Sequence, residues 1–286
     1  IVSALSFSFL LRDYTPGRLI QVIQGAAVVT IALNLAALWK QEARDRVRGA
    51  APVRVQSFRT AWGRLTEGRG MIRLLAVIGL GTAGFGMADV LLEPFGGIAL
   101  GMTVAETTRL TVVLAAGSLV GFALASRWLG RGRQPITVAA LGAGIGVPAF
   151  LVIMLAAQVG AVPLFVAAVA LAGFGAGLFG HGTLTATMRA APRAQIGLAM
   201  GAWGAVQATA AGLAIAAGGV IRDVFAGLDP AGQPSAPYIP VFALEAALLL
   251  TALMVALPLR RRVDRSGAFD TDAAQATSKR IASAGP

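Results

Sequence analysis

The chain contains no cysteine and a single histidine, His181, in 286 residues. Without cysteine there are no disulfides, no thiolate metal sites and no thiol catalysis. One imidazole cannot supply the paired histidines of a zinc motif. Charge is scarce as well: 13% of residues are charged against 56% hydrophobic, which is not the balance of a soluble domain. There is no Walker loop and no nucleophile with a base in reach, so nothing reads as an enzyme. The string Gly79-Leu80-Gly81-Thr82-Ala83-Gly84 matches the G-x-G-x-x-G dinucleotide fingerprint, but no strand precedes it and no βαβ unit surrounds it. The match is accidental. These glycines suit close helix approach instead, as do Gly142/Gly146, Gly173/Gly177 and Ala208/Gly212.

What the chain has in quantity is apolar sequence, in blocks of about 20 residues, the length that crosses a bilayer as helix. The expectation is an all-α polytopic membrane protein with seven full spans, near 18–40, 71–93, 106–128, 136–158, 163–188, 196–219 and 239–259. Residues Ile1–Leu11 read as part of an eighth. Pro16 suits a first helical turn. The expected organisation is 1–40 as the end of an N-terminal half, 41–70 as a basic linker, 71–260 as a six-helix half and 261–286 as a disordered tail.

The formal charge of +11 is distributed by loop. From Lys40 to Arg73 there are nine basic residues against Glu42, Asp45 and Glu67, and Phe58, Trp62 and Leu65 give part of this linker an apolar side suited to a lipid surface. Arginines recur at 127/131/133, 189/193 and 260–262, while the connections near 94–105 and 159–162 carry almost nothing. The segment 220–238 has Arg222 against Asp223 and Asp229. This alternation places every basic loop, the linker and the C-terminus in the cytoplasm. It argues for a membrane partner and against nucleic acid.

Three groups of polar residues stand inside apolar runs. His181, in Gly180-His181-Gly182-Thr183-Leu184-Thr185, has no charged neighbour between Val162 and Thr187. An intramembrane histidine is a functional-site candidate, and the competing reading is an imidazole that hydrogen-bonds another helix. Trp203 and Gln207 share one face of the following helix, at i and i+4. Asp89 and Glu93 likewise share a face, with Pro94 limiting the helix beyond them. These acids either pair with a cation, Arg109 being the candidate, or bind something; Glu245 poses the same alternative. At ~1.5 Å rise per residue, Glu93 and His181 differ by roughly 15–25 Å in depth, too far for one small ligand.

Several strings carry a family resemblance: Arg18-Leu19-Ile20-Gln21-Val22-Ile23-Gln24-Gly25, Leu91-Leu92-Glu93-Pro94-Phe95-Gly96-Gly97, His181-Gly182-Thr183-Leu184-Thr185-Ala186 and Gly201-Ala202-Trp203-Gly204-Ala205-Val206-Gln207. They resemble the PucC/LhaA proteins of purple phototrophic bacteria. Gly121 to Arg131 is similar to the glycine-acid-arginine loop signature of the major facilitator superfamily, with Ser126 where the acid is usual. The resemblance implies a major-facilitator-like bundle of twelve spans in the complete protein. It further implies a non-enzymatic assembly factor in the bacterial inner (intracytoplasmic) membrane that delivers bacteriochlorophyll to light-harvesting antenna polypeptides. Reaction-centre assembly intermediates and bacteriochlorophyll-synthesis enzymes are further implied partners. In that setting His181 is the candidate ligand for the pigment's magnesium, with Glu93, Thr183, Trp203 and Gln207 around the pigment. The fold class alone favours a proton-coupled transporter of a small solute using Asp89, Glu93 or Glu245. A scaffold that binds antenna polypeptides without pigment is the third reading.

Overall fold

The computed structural model describes residues 16–38, 57–67, 69–228 and 232–259. The segments expected at 1–11 and 261–286, and most of the linker, lie outside them. The described residues are helices and the turns between them, and seven helical segments are long and apolar enough to cross a membrane. This is a multi-pass membrane protein. The chain divides into two units, 1–57 and 58–286, so the first thirteen residues of the second lie within the expected linker, 41–70.

Helix α1, Pro16–Leu38, belongs to the first unit and starts on the proline, whose missing N–H costs nothing in a first turn. Two of its polar side chains bond back to their own helix: Thr30 Oγ1 donates to the Ala26 carbonyl at 2.8 Å, and Asn34 Nδ2 to the Thr30 carbonyl at 2.9 Å. In hydrocarbon such bonds stand in for those to water.

The second unit opens with α2, Phe58–Leu65. Leu65 is buried, whereas Phe58 and Trp62 stack on each other at 6.1 Å and remain exposed. There follow α3 (Arg69–Gly86), α4 (Ala88–Leu100), α5 (Val104–Gly130), α6 (Pro135–Val159), α7 (Val162–Ala190), a 3₁₀ turn at Arg193–Gln195, α8 (Ile196–Leu228) and α9 (Ile239–Leu259).

Helix α7 lies between α5 and α6, and glycines make that possible. An added Cβ at Gly173 or Gly177 would collide with the Leu114 or Ser118 carbonyl of α5. At Gly142 it would stand 2.5 Å from the Gly175 carbonyl oxygen, and at Gly182 2.5 Å from the Ala139 nitrogen. Backbones this close maximise dispersion contact where no hydrophobic force drives helices together. Ala208/Gly212 behaves differently from expectation: nothing lies within 4 Å of a Cβ at Gly212. Above the glycines, Phe95 meets Phe165, Tyr238 and Phe242 edge-on at 5.0–5.4 Å. Phe150 and Phe85 continue these ring contacts to Phe179.

Three expectations are corrected. The span placed at 71–93 is two helices, α3 and α4, meeting at Met87 and reaching Leu100. Pro94 sits inside α4, and the helix ends only at Gly101, whose φ of 67° is left-handed; the Met102 N–H there returns to the Gly96 carbonyl at 3.1 Å. Second, α8 runs to Leu228, so Arg222 and Asp223 are helical, joined at 2.6 Å, with the guanidinium 5.4 Å from the Tyr238 ring centre. Third, the span expected at 106–128 runs from Val104 to Gly130, and within it Gly121 packs against the α7 backbone at Phe174.

Candidate functional site

The break between α3 and α4 is made by a side chain from far along the chain. Glu245 of α9 is wholly buried, and its Oε1 accepts the Ala88 N–H at 2.7 Å. That N–H is one of the four at a helix start that lack an intrahelical partner, and a carboxylate also suits the positive end of the helix dipole. Asp89, in the same first turn, is close enough for the two charges to interact.

Asp89 also lines a cavity of about 360 Å³. Its other polar walls are Thr82, Ser118 and Gln207, and its aromatic walls are Phe85, Phe122, Phe150 and Phe179. A few polar groups converging in an apolar concavity are the usual form of a small-molecule site.

Of the five residues singled out in the sequence, one lines this cavity and three lie on the same two helices, α7 and α8. Gln207 lines it. Thr183 is buried, and its Oγ1 accepts the Trp203 indole N–H at 3.4 Å while donating to the Gly180 carbonyl at 3.1 Å. His181 is half-buried on α7 and meets Phe122 edge-on at 5.6 Å, so the ring that walls the cavity also touches the imidazole. Neither nitrogen of His181 makes a hydrogen bond among the described residues. Glu93 stands apart. It accepts a hydrogen bond from Thr111 of α5, and the expected partner Arg109 forms no ion pair with it.

Glu106, which the sequence reading passed over, closes a capping box with Thr103 at the start of α5. The signal was the Thr103-x-x-Glu106 spacing ahead of an apolar run. The four-phenylalanine wall had no such signal, since aromatic residues in apolar helices are ordinary.

The whole chain up to residue 263 matches the family model described as PUCC protein, residues 1–263. The chain belongs to the PUCC protein family. It is 60% identical over 226 residues to "Protein PucC" of Rhodovulum sulfidophilum, covering 78% of this chain and 50% of that protein. It is 52% identical over 263 residues to "Protein PucC" of Cereibacter sphaeroides, covering 91% of this chain and 57% of that protein. A "Bacteriochlorophyll synthase 44.5 kDa chain" of Rhodobacter capsulatus is 29% identical over 266 residues, covering 89% and 60%. The chain thus spans about half the length of the curated PucC relatives it matches. Within the family region lie the cavity, His181 and the Glu245 cap.

Proposed function

We propose that this PUCC-family protein is a non-enzymatic assembly factor of the bacterial inner membrane that holds bacteriochlorophyll and presents it to nascent light-harvesting antenna polypeptides. Family membership supports the assembly role. The observation that carries the pigment reading is the half-buried imidazole of His181, whose nitrogens are unused by the protein. The magnesium of a bacteriochlorophyll accepts a fifth ligand, and a neutral imidazole nitrogen in a dry site is such a donor. Residues near His181 fit the rest of the molecule. Phe122 and Trp203 offer ring faces, while Gln207 and the hydroxyl of Thr183 offer polar contacts for ring carbonyls. A whole macrocycle exceeds the cavity of about 360 Å³, so in this reading the pigment lies partly along the lipid-facing side of α7 and α8. Glu93, held by Thr111, is the alternative ligand.

The test is the absorption spectrum and pigment-to-protein ratio of the gently purified full-length protein. His181→Leu is expected to lose most pigment while inserting and folding, and His181→Gln to retain part, since an amide oxygen also reaches magnesium. An unchanged ratio in His181→Leu removes this residue from the site and makes Glu93 the next ligand to replace. Absence of bacteriochlorophyll from the wild-type preparation rejects the pigment reading and leaves the scaffold.

One observation favours the second reading, a proton-coupled transporter of a small solute: a wholly buried acid, Glu245, beside an acid that lines a cavity. Solute counterflow in proteoliposomes separates this reading from the first.

A further inference from the structure

Glu245 carries more hydrogen-bonding capacity than the helix cap uses. Its carboxylate faces the start of α4, and Oε1 takes the Ala88 N–H at 2.7 Å. Oε2 is buried with no hydrogen-bond partner. A buried carboxylate is expensive unless a cation or a proton neutralises it, more so in hydrocarbon.

The described residues supply no such cation. The charged group that acts on Glu245 is Asp89, of the same sign. Helix α9 has no other ionisable side chain and α6 has none. Arg73 lies at the far end of α3, and Glu93 of α4 is engaged with Thr111. On α5 the charges are Glu106, Arg109 and Arg127, on α7 His181 and Arg189, and on α8 Arg222 and Asp223. Among the described residues none of these forms an ion pair with Glu245 or Asp89.

We infer that Glu245 and Asp89 form a binding site for a small monovalent cation, a proton or Na⁺, at the junction of α3 and α4. Asp89 is the outer ligand, because its side chain opens onto the cavity, with the hydroxyls of Thr82 and Ser118 on the same walls. Glu245 Oε2 is the inner ligand, buried and without a hydrogen-bond partner. Occupancy bears on the fold at that point. A cation at Oε2 draws negative charge from the oxygen that caps α4, weakening the match between the carboxylate and the helix dipole. The α3–α4 junction therefore responds to the ion. This site deepens the transporter reading, whose two acids it uses, and shares its cavity with the pigment reading without requiring pigment.

The test is thermal unfolding of the full-length protein in detergent. Na⁺ is exchanged for choline at constant ionic strength, and pH is varied separately without Na⁺. The midpoint is expected to rise with the logarithm of cation concentration, as for any ligand that binds the folded state. Glu245→Gln keeps an acceptor for the Ala88 N–H but no charge, and should flatten the response. Asp89→Asn, at the cavity wall and away from the cap, should move the half-point to roughly tenfold higher cation concentration, the effect of removing one neighbouring charge. It also keeps the test decisive should Glu245→Gln fail to fold. A response to Na⁺ at fixed pH identifies sodium, and a response to pH alone identifies the proton. A wild-type midpoint that moves with neither, or a slope unchanged in the variants, overturns the site.

Discussion

At Gly177 an added Cβ would collide with the Ser118 carbonyl of α5, whereas at Gly201 it would meet nothing within 4 Å. Gly177→Ala is therefore expected to destabilise by about 1–3 kcal/mol, the cost of overpacking a tight contact. Gly201→Ala should be neutral or stabilising by up to ~1 kcal/mol, since alanine is the better helix former. Thermal unfolding in detergent checks both, and a larger loss at Gly201 would contradict the packing described. The two positions look alike in sequence, each a small residue four apart from another. What separates them is rotation about the helix axis, which depends on neighbours that no local pattern names. His181 was legible because a lone imidazole in apolar sequence is conspicuous on its own. Its freedom from hydrogen bonds was not, and neither was the Thr183–Trp203 bond between two helices.

The junction of α3 and α4 shows the same limit for an element. Hydropathy runs on through Met87, and methionine is a good helix former, so a continuous span was the natural expectation. The break is held by a residue 157 positions away in the chain. Glu245→Ala would leave the Ala88 N–H buried without an acceptor, a loss of about 1–3 kcal/mol, while Glu245→Gln should cost less. Faster amide exchange confined to the first turn of α4 in the alanine variant is the signature to look for. The start of α5, by contrast, was written locally. Thr103 and Glu106 cap each other there, with Glu106 Oε2 accepting the Thr103 N–H at 2.8 Å. Thr103→Ala is expected to cost ~1 kcal/mol. The docking face is an element-scale question too. Gly173 and Gly177, whose spacing suits close helix approach, are already occupied by α5. Gly201 and Ala205 of α8 remain exposed, and we propose them as the face for antenna helices. Gly201→Leu should then abolish co-purification with antenna polypeptides without loss of folding, and an unchanged pull-down rejects this face.

For the whole molecule, the arginine pattern and the helix ends make one argument about topology. The short connections after α4 and α6, residues 101–103 and 160–161, contain no charge. Those after α5 and α7 hold Arg131, Arg133 and Arg193. With α3 and α4 counted as one span, the six spans of the second unit alternate without contradiction between an arginine-rich side and an arginine-poor one. Had the break at Met87 been a turn between two spans, every later loop would change sides and the arginines would face the wrong compartment. Two basic residues lie near the other side: Arg109, in the second turn of α5 after Glu106, and Arg222, which is offset by Asp223 beside it. On the positive-inside rule we propose that residues 41–70 and the chain after residue 260 are cytoplasmic. The absence of cysteine allows a direct check. Ala50→Cys and Gln275→Cys should each react with a membrane-impermeant thiol reagent in inverted vesicles and stay unlabelled in intact spheroplasts. Labelling of either from the periplasmic face would reverse the topology. It would also carry His181, on the descending helix α7, from the cytoplasmic half of the bilayer to the outer one. Delivery of a hydrophobic pigment from the cytoplasmic leaflet would then lose its geometric basis, so the labelling result bears on the proposed function as well as on the fold.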